Sequence, residues 1–327
     1  MRGGAGADVF RFAFLNLRGD VIAGGAGSDT LLLTGAGGLP SNALRSMTGV
    51  ERVLLAADGN AITLENANFT GVAGAKITVI GGAGAGANTV NASALTGTNA
   101  IDVTAGGGLD VLRGGAGNDV FRFRAGDLAG DTVIGGNAVT SIDTLIITTA
   151  GALAADALAN VTGVETFRLA AGGNGITLLA ANFANTSGVI TVIGSDSSDT
   201  VDASALTSLS AINANAGGGD DVFRFSSGNL TAADTVQGGS GIDRIVITTA
   251  GTLATDAFAN VSGIEQLDLA AGGNSLILTD AVLAAPLFYS DYIDIIGSTG
   301  ASVIDASRLS GANAIHVRDG GGIDTIT

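Results

Sequence analysis

Apolar residues fall in short runs roughly ten residues apart, each closed by glycine, asparagine or aspartate; in the first third the runs centre on Val53, Ile62, Ile77, Val90, Ile101, Val111 and Val120. Runs such as Thr30 to Leu33, Arg52 to Leu55, Leu145 to Thr148 and Arg244 to Thr248 are short, rich in branched aliphatics and bounded by turn residues, which predicts strands. This spacing suits the half-coils of a solenoid. Successive strands form opposite walls, and the next coil stacks about 4.8 Å away through parallel pairing. In Val9-Phe10-Arg11-Phe12 the period of two puts both phenylalanines on one face. Their burial preference points Phe10 and Phe12 inward, together with Phe121, Phe123, Phe223 and Phe225, and leaves Arg122 and Arg224 outside. Leu44 to Gly49, Ala152 to Gly163 and Leu253 to Gly263 lack alternation, and their alanine, leucine and asparagine predict short helical turns. The expected fold class is all-β, a parallel β-solenoid of the β-roll or β-helix kind with short helical or loop decorations.

The strings return in a fixed order. Asp-Val-Phe-Arg-Phe begins at Asp8, Asp119 and Asp221; Gly49-Val50-Glu51 reappears as Gly163-Val164-Glu165 and Gly263-Ile264-Glu265; Val90-Asn91-Ala92-Ser93 reappears from Val201 and Ile304. Three repeat units follow, 1–105, 106–216 and 217–327, continuous in one solenoid. The interval from 8 to 119 exceeds that from 119 to 221 by nine residues, the stretch around Gly107 to Leu112. An array that gains one nonapeptide without disturbing its neighbours is a quasi-one-dimensional stack.

Gly114 to Arg122 reads GGAGNDVFR, and relatives occur as GGAGADVFR from Gly3, GGAGSDTLL from Gly24 and GGSGIDRIV from Gly238. Each fits GGxGxDxUx, where U is a large apolar residue. The chain thus resembles the RTX, or haemolysin-type calcium-binding, repeat family, and its mixed segments are similar to those of bacterial S-layer proteins and large RTX adhesins. The resemblance implies a protein secreted unfolded by a type I system, folding on extracellular calcium.

The chemistry of the aspartates points to the same ion. Stacked coils bring equivalent carboxylates within about 5 Å, where like charges repel by about 3 kcal/mol at an effective dielectric near 20. Calcium takes six to eight oxygens, carboxylate and carbonyl alike, and turns that repulsion into a cross-link. A site needs two turns on one side, and the expected pairs are Asp8 with Asp29, Asp110 with Asp131, Asp119 with Asp143, and Asp221 with Asp243; Asp20 and Asp234 lie half a coil away. Family arrays place such aspartates eighteen residues apart, and insertions such as Ala13 to Arg18 lengthen the step here. At one further aligned turn the residue is Asn88, Asp199 or Ser302, which is not a consistent calcium ligand.

Composition sharpens the picture. The 53 glycines and a formal net charge of −16 would fit disorder, but 46% hydrophobic residues in strand-like runs argue for an ordered, narrow core. The chain has no cysteine, so neither disulfides nor thiolate metal sites enter. No apolar run reaches about 18 residues, which excludes a helical membrane span, and the amino terminus enters a repeat at once, without a cleavable signal. Fourteen basic against thirty acidic residues argue against a nucleic-acid partner. The single histidine, His316, supports neither a catalytic triad nor a histidine zinc site, and no catalytic constellation stands out, so no enzyme is expected. Arg18-Gly19-Asp20 matches an adhesion tripeptide, but the repeat itself requires a glycine turn and an aspartate there.

The leading expectation is a calcium-stabilised structural repeat protein of a bacterial cell surface: S-layer, adhesin or self-assembling fibre. The chain ends near the repeat phase in which it begins, so self-association or continuation of a longer array is expected. Two alternatives stay open. One is a non-catalytic module assisting folding and export of a secreted enzyme or toxin. The other is a glycan- or ice-binding solenoid using outward threonines such as Thr148, Thr149, Thr248 and Thr249.

Overall fold

The computed structural model describes residues 1–136, 140–283, 292–311, 313–318 and 320–327; residues 284–291 of the third sequence repeat thus lie outside the described part. The chain is almost entirely β and winds as a parallel β-solenoid. Chain contacts divide it into two compact units: one formed by Met1–Thr148, Ala159–Thr166 and Ala184–Ser187, the other by Thr149–Leu158, Phe167–Phe183 and Gly188–Thr327. These units do not follow the sequence repeats.

In the first unit one wall is the parallel series Val9–Phe12, Thr30–Leu33, Arg52–Leu54, Lys76–Ile80, Ala100–Thr104, Val120–Phe123 and Thr144–Ile147. The other wall contains Asn60–Thr63, Thr89–Asn91, Val111–Arg113 and Thr132–Ile134. Register is strict because each inward residue meets its own kind one coil on: Phe10 opposes Leu31, Leu31 opposes Val53, and Phe121 opposes Leu145. A one-residue slip would turn this whole row to solvent. The second unit repeats the scheme, with Thr200–Asp202, Val222–Phe225, Arg244–Ile247 and Gln266–Asp268 in one wall and Val189–Ser195, Ala211–Gly218 and Thr235–Ser240 in another.

All six phenylalanines expected inside are buried, Phe121 and Phe223 completely. Arg122 and Arg224 point outward and pair with Asp102 and Asp202 of the preceding rung. The decorations differ from expectation. Residues 41–46, 155–160 and 255–260 are irregular turns leading into the two-residue strands Met47–Thr48, Val161–Thr162 and Val261–Ser262. The helical pieces are 3₁₀ turns elsewhere, including Asn66–Phe69 and Ala180–Phe183. Buried asparagines set these corners: Asn68 accepts the Glu65 N–H and donates to the Leu44 carbonyl, and Asn182 accepts the Leu179 N–H and donates to the Leu158 carbonyl. Such side-chain bonds to nearby backbone favour turns over helix. No described helix is long and apolar enough to cross a membrane.

Candidate metal centre: the carboxylate ladders

At the coil corners, inward-pointing acids and amides form ladders along the stack. Each rung's side-chain oxygen accepts the backbone N–H of the rung before it. In the first unit Asp8 N–H donates to Asp29 Oδ1 (2.8 Å), and Asp29 N–H donates to Glu51 Oε2 (2.8 Å). A second ladder runs Asp119, Asp143, Glu165 (2.7 and 2.8 Å), with Asp119 also accepting the Ile101 N–H. A third runs Asn60, Asn88, Asp110, Asp131 (3.2, 2.6 and 2.5 Å). In the second unit the ladder is Asn174, Asp199, Asp221, Asp243, Glu265 (2.6, 2.7, 2.9 and 2.7 Å), and a shorter one is Asn274, Ser302, Asp324.

All four expected pairs therefore meet as adjacent rungs. Asp20 and Asp234 do not join them. Asp20 accepts the Arg18 N–H in an exposed turn, and Asp234 accepts the N–H groups of Ile212 and Thr231 with no carboxylate rung beside it. Asn88, Asp199 and Ser302 are all rungs, which shows that the position demands an N–H acceptor rather than a charge.

Residues outside the expected set complete the ladders. Asn60, Asn174 and Asn274 start them, each accepting the N–H four residues earlier in its own turn and donating its amide to two carbonyls of the coil before. The repeated Gly-Asn at 59, 173 and 273 carries that signal in the sequence. Glu51, Glu165 and Glu265 end ladders at a bulge. Both Glu51 and Arg52 N–H groups donate to the Asp29 carbonyl, and the same doubling recurs at Asp143 and Asp243. The extra backbone residue sets the side chain back, and the additional methylene of glutamate restores its reach.

Burial dominates the electrostatics. Asp29, Asp119 and Asp243 are 0% exposed. Desolvation, partly offset by the accepted N–H bonds, pushes Asp143 and Asp221 up to about 8, Asp131 to about 7, and Asp119 and Asp243 to about 6. Neighbouring carboxylates add to the rise at Asp131, Asp143, Asp221 and Asp243.

The second carboxylate oxygen divides the set. Asp119 Oδ2 accepts the Gly115 N–H, Asp199 Oδ2 accepts from Ser195, and Asp234 Oδ2 accepts from Thr231, so those turns are closed internally. By contrast, among the described residues, Oδ2 of Asp8, Asp29, Asp110, Asp221 and Asp243 is buried with no hydrogen-bond partner. Such a group costs about 1–3 kcal/mol, more if charged, which makes it the natural place to look for a ligand. The Asp8–Asp29 and Asp221–Asp243 pairs also stand on turns with alternate glycines at positive φ, including Gly25 (+112°), Gly27 (+138°), Gly239 (+106°) and Gly241 (+137°). No glycine of the 114–119 turn adopts positive φ, although that segment also fits the nonapeptide pattern.

Hard oxygens converge on the bare face of the first glycine of each repeat turn, Gly114 of the closed turn included. A Cβ on Gly24 would lie 2.4 Å from Asp29 Oδ2 and 1.7 Å from the Gly49 carbonyl; on Gly238 it would lie 2.4 Å from Asp243 Oδ2 and 1.9 Å from the Gly263 carbonyl. The donor type suits calcium. Among the described residues no three acidic, histidine or cysteine side chains gather around one point, so any cation here would draw on backbone carbonyls as well as the aspartates. His316 is exposed against Asp294 at 3.1 Å. Thr148 and Thr248 donate their hydroxyls to the carbonyls of Phe123 and Phe225.

Comparison of the chain with family models, curated proteins and solved structures returned no match.

Proposed function

We propose that this chain is a calcium-stabilised structural repeat protein of the bacterial cell surface, in which cations bound between stacked aspartates stiffen a parallel solenoid. The observation that carries this reading is the buried, unpartnered Oδ2 of stacked aspartates beside glycine carbonyls. Asp8 with Asp29, and Asp221 with Asp243, would hold the ion, with Oδ1 of Asp29, Asp221 and Asp243 kept on backbone N–H groups. The cation would neutralise the stacked carboxylates, of which Asp221 and Asp243 are otherwise driven toward protonation by burial. The reading includes an extracellular location, where calcium is plentiful, in keeping with the resemblance to RTX repeats.

Melting followed by circular dichroism in millimolar calcium and in excess chelator tests the reading. A ligand at about 100 times its Kd adds about 2.7 kcal/mol, which is several degrees in Tm. The Asp221→Asn/Asp243→Asn double variant keeps an oxygen for each ladder bond and removes the charge. It should lose most of the calcium-dependent gain while its chelated form melts no lower than the chelated parent. Equal Tm for the parent in calcium and chelator would overturn the proposal.

A further inference from the structure

The residue before each ladder aspartate is exposed at the rim of its turn, and in the second unit these rim residues form an outer ladder of their own. Ser198 Oγ accepts the Asp220 N–H (3.0 Å), and Asp220 Oδ1 accepts the Ile242 N–H (2.8 Å). In the first unit Asn118 fills the same place, its Oδ1 accepting the Ile142 N–H (3.0 Å). A neutral amide oxygen therefore suffices for this bond. The negative charge of Asp220 is surplus to it, and Asp220 makes no ion pair among the described residues.

Its position gives that charge another object. Asp220 directly precedes Asp221, and the Ile242 it binds directly precedes Asp243. A Cβ on Gly241 would lie 3.1 Å from Asp220 Oδ1 and 2.1 Å from the Gly219 carbonyl, so carboxylate and carbonyl close over the bare face of one glycine. Behind this rim, Oδ2 of Asp221 and of Asp243 have no hydrogen-bond partner among the described residues, in side chains 1% and 0% exposed. The charge of Asp220 is felt there, since it adds to the raised proton affinity of Asp243. The corresponding rim residue is Ala7 at the Asp8–Asp29 pair and Asn118 at the closed Asp119 turn, so the third carboxylate belongs to the Asp221–Asp243 pair.

We propose that Asp220 sets the calcium affinity of the Asp221–Asp243 pair, as a third carboxylate held at the rim by a bond that does not need its charge. This role rests on the reading that the pair holds calcium. Calcium sites are tuned by the number of charged oxygens around the ion and by the rigidity of the site. Asp220 supplies both, a negative charge whose place is fixed by the Ile242 N–H. Exposed at the mouth, it also draws a cation in from solvent.

The test is isothermal titration of the full chain with calcium, alongside melting in chelator. Asp220→Asn should weaken the tightest binding step about three- to tenfold. Its chelated form should melt no lower than the chelated parent, because the amide keeps the bond to the Ile242 N–H as Asn118 does at Ile142. Added to the Asp221→Asn/Asp243→Asn background, Asp220→Asn should weaken calcium binding no further, since the carboxylates it assists are gone. Unchanged affinity in Asp220→Asn, or an equal loss in that background, would overturn the proposal, as would an equal loss on Asp256→Asn, which removes the same charge from another exposed turn. Absence of calcium binding by the parent would overturn the underlying reading and this role together, whereas parental binding that Asp220→Asn leaves intact overturns this role alone.

Discussion

At the scale of single residues, the ladders show why asparagine, aspartate, serine and glutamate occupy related positions. What each rung needs is an oxygen aimed at the backbone N–H of the coil before. Asparagine also supplies an amide to the carbonyls that face it, as Asn174 does to those of Thr149 and Gly151. Glutamate appears where a bulge sets the backbone back. Glu265→Asp should therefore lose its bond to the Asp243 N–H and destabilise the protein by about 1–3 kcal/mol, while Glu265→Gln, with the same reach, should cost less. Urea denaturation of the two variants checks the order, and equal losses would mean that charge matters there rather than length. The repeated Gly-Val-Glu string made the glutamates visible in the sequence, but not their role, because a bulge is a relation between two chain segments.

At the scale of the ladder, stacked acids couple stability to pH. Folded-state proton affinities of Asp119, Asp131, Asp143, Asp221 and Asp243 are raised by burial to between about 6 and about 8, so the folded chain holds more protons than the unfolded chain from about pH 4 upward. Stability present in mild acid is then lost as pH rises through these values. In chelator, Tm should fall between pH 5 and pH 8 by calorimetry. A rise over that interval would contradict burial as the governing effect. Calcium, if held as proposed, should offset the fall most strongly at the alkaline end, where the carboxylates are ionised. Pairing of the aspartates was legible from the repeat phase. Which Oδ2 atoms go unpartnered was not, since that depends on whether a local N–H, such as that of Gly115 or Ser195, turns toward them.

At the scale of the whole molecule, a solenoid responds locally because each coil meets chiefly its nearest neighbours. Phe223 is fully buried and stacks on Val201 and Ile245. Phe223→Ala should cost about 3–5 kcal/mol. Hydrogen exchange should show the loss concentrated in Thr200–Asp202, Val222–Phe225 and Arg244–Ile247, with Val9–Phe12 and Thr30–Leu33 retaining protection. Uniform loss along the chain would mean that it unfolds as one cooperative block.

The amino-acid sequence by itself determined the parallel solenoid, the inward phenylalanines and the four aspartate pairs. Alternation, turn residues and repeat phase are local or periodic properties, and stacking in register carries them directly into three dimensions. The predicted helical turns are irregular turns instead, and at two of the three corners a buried asparagine of the adjacent coil, Asn68 or Asn182, takes up a backbone carbonyl, that of Leu44 or Leu158. Only the tertiary structure separated satisfied from unsatisfied carboxylates and placed the glutamates on bulges. Each of these depends on differences between neighbouring coils, which chain order alone does not express.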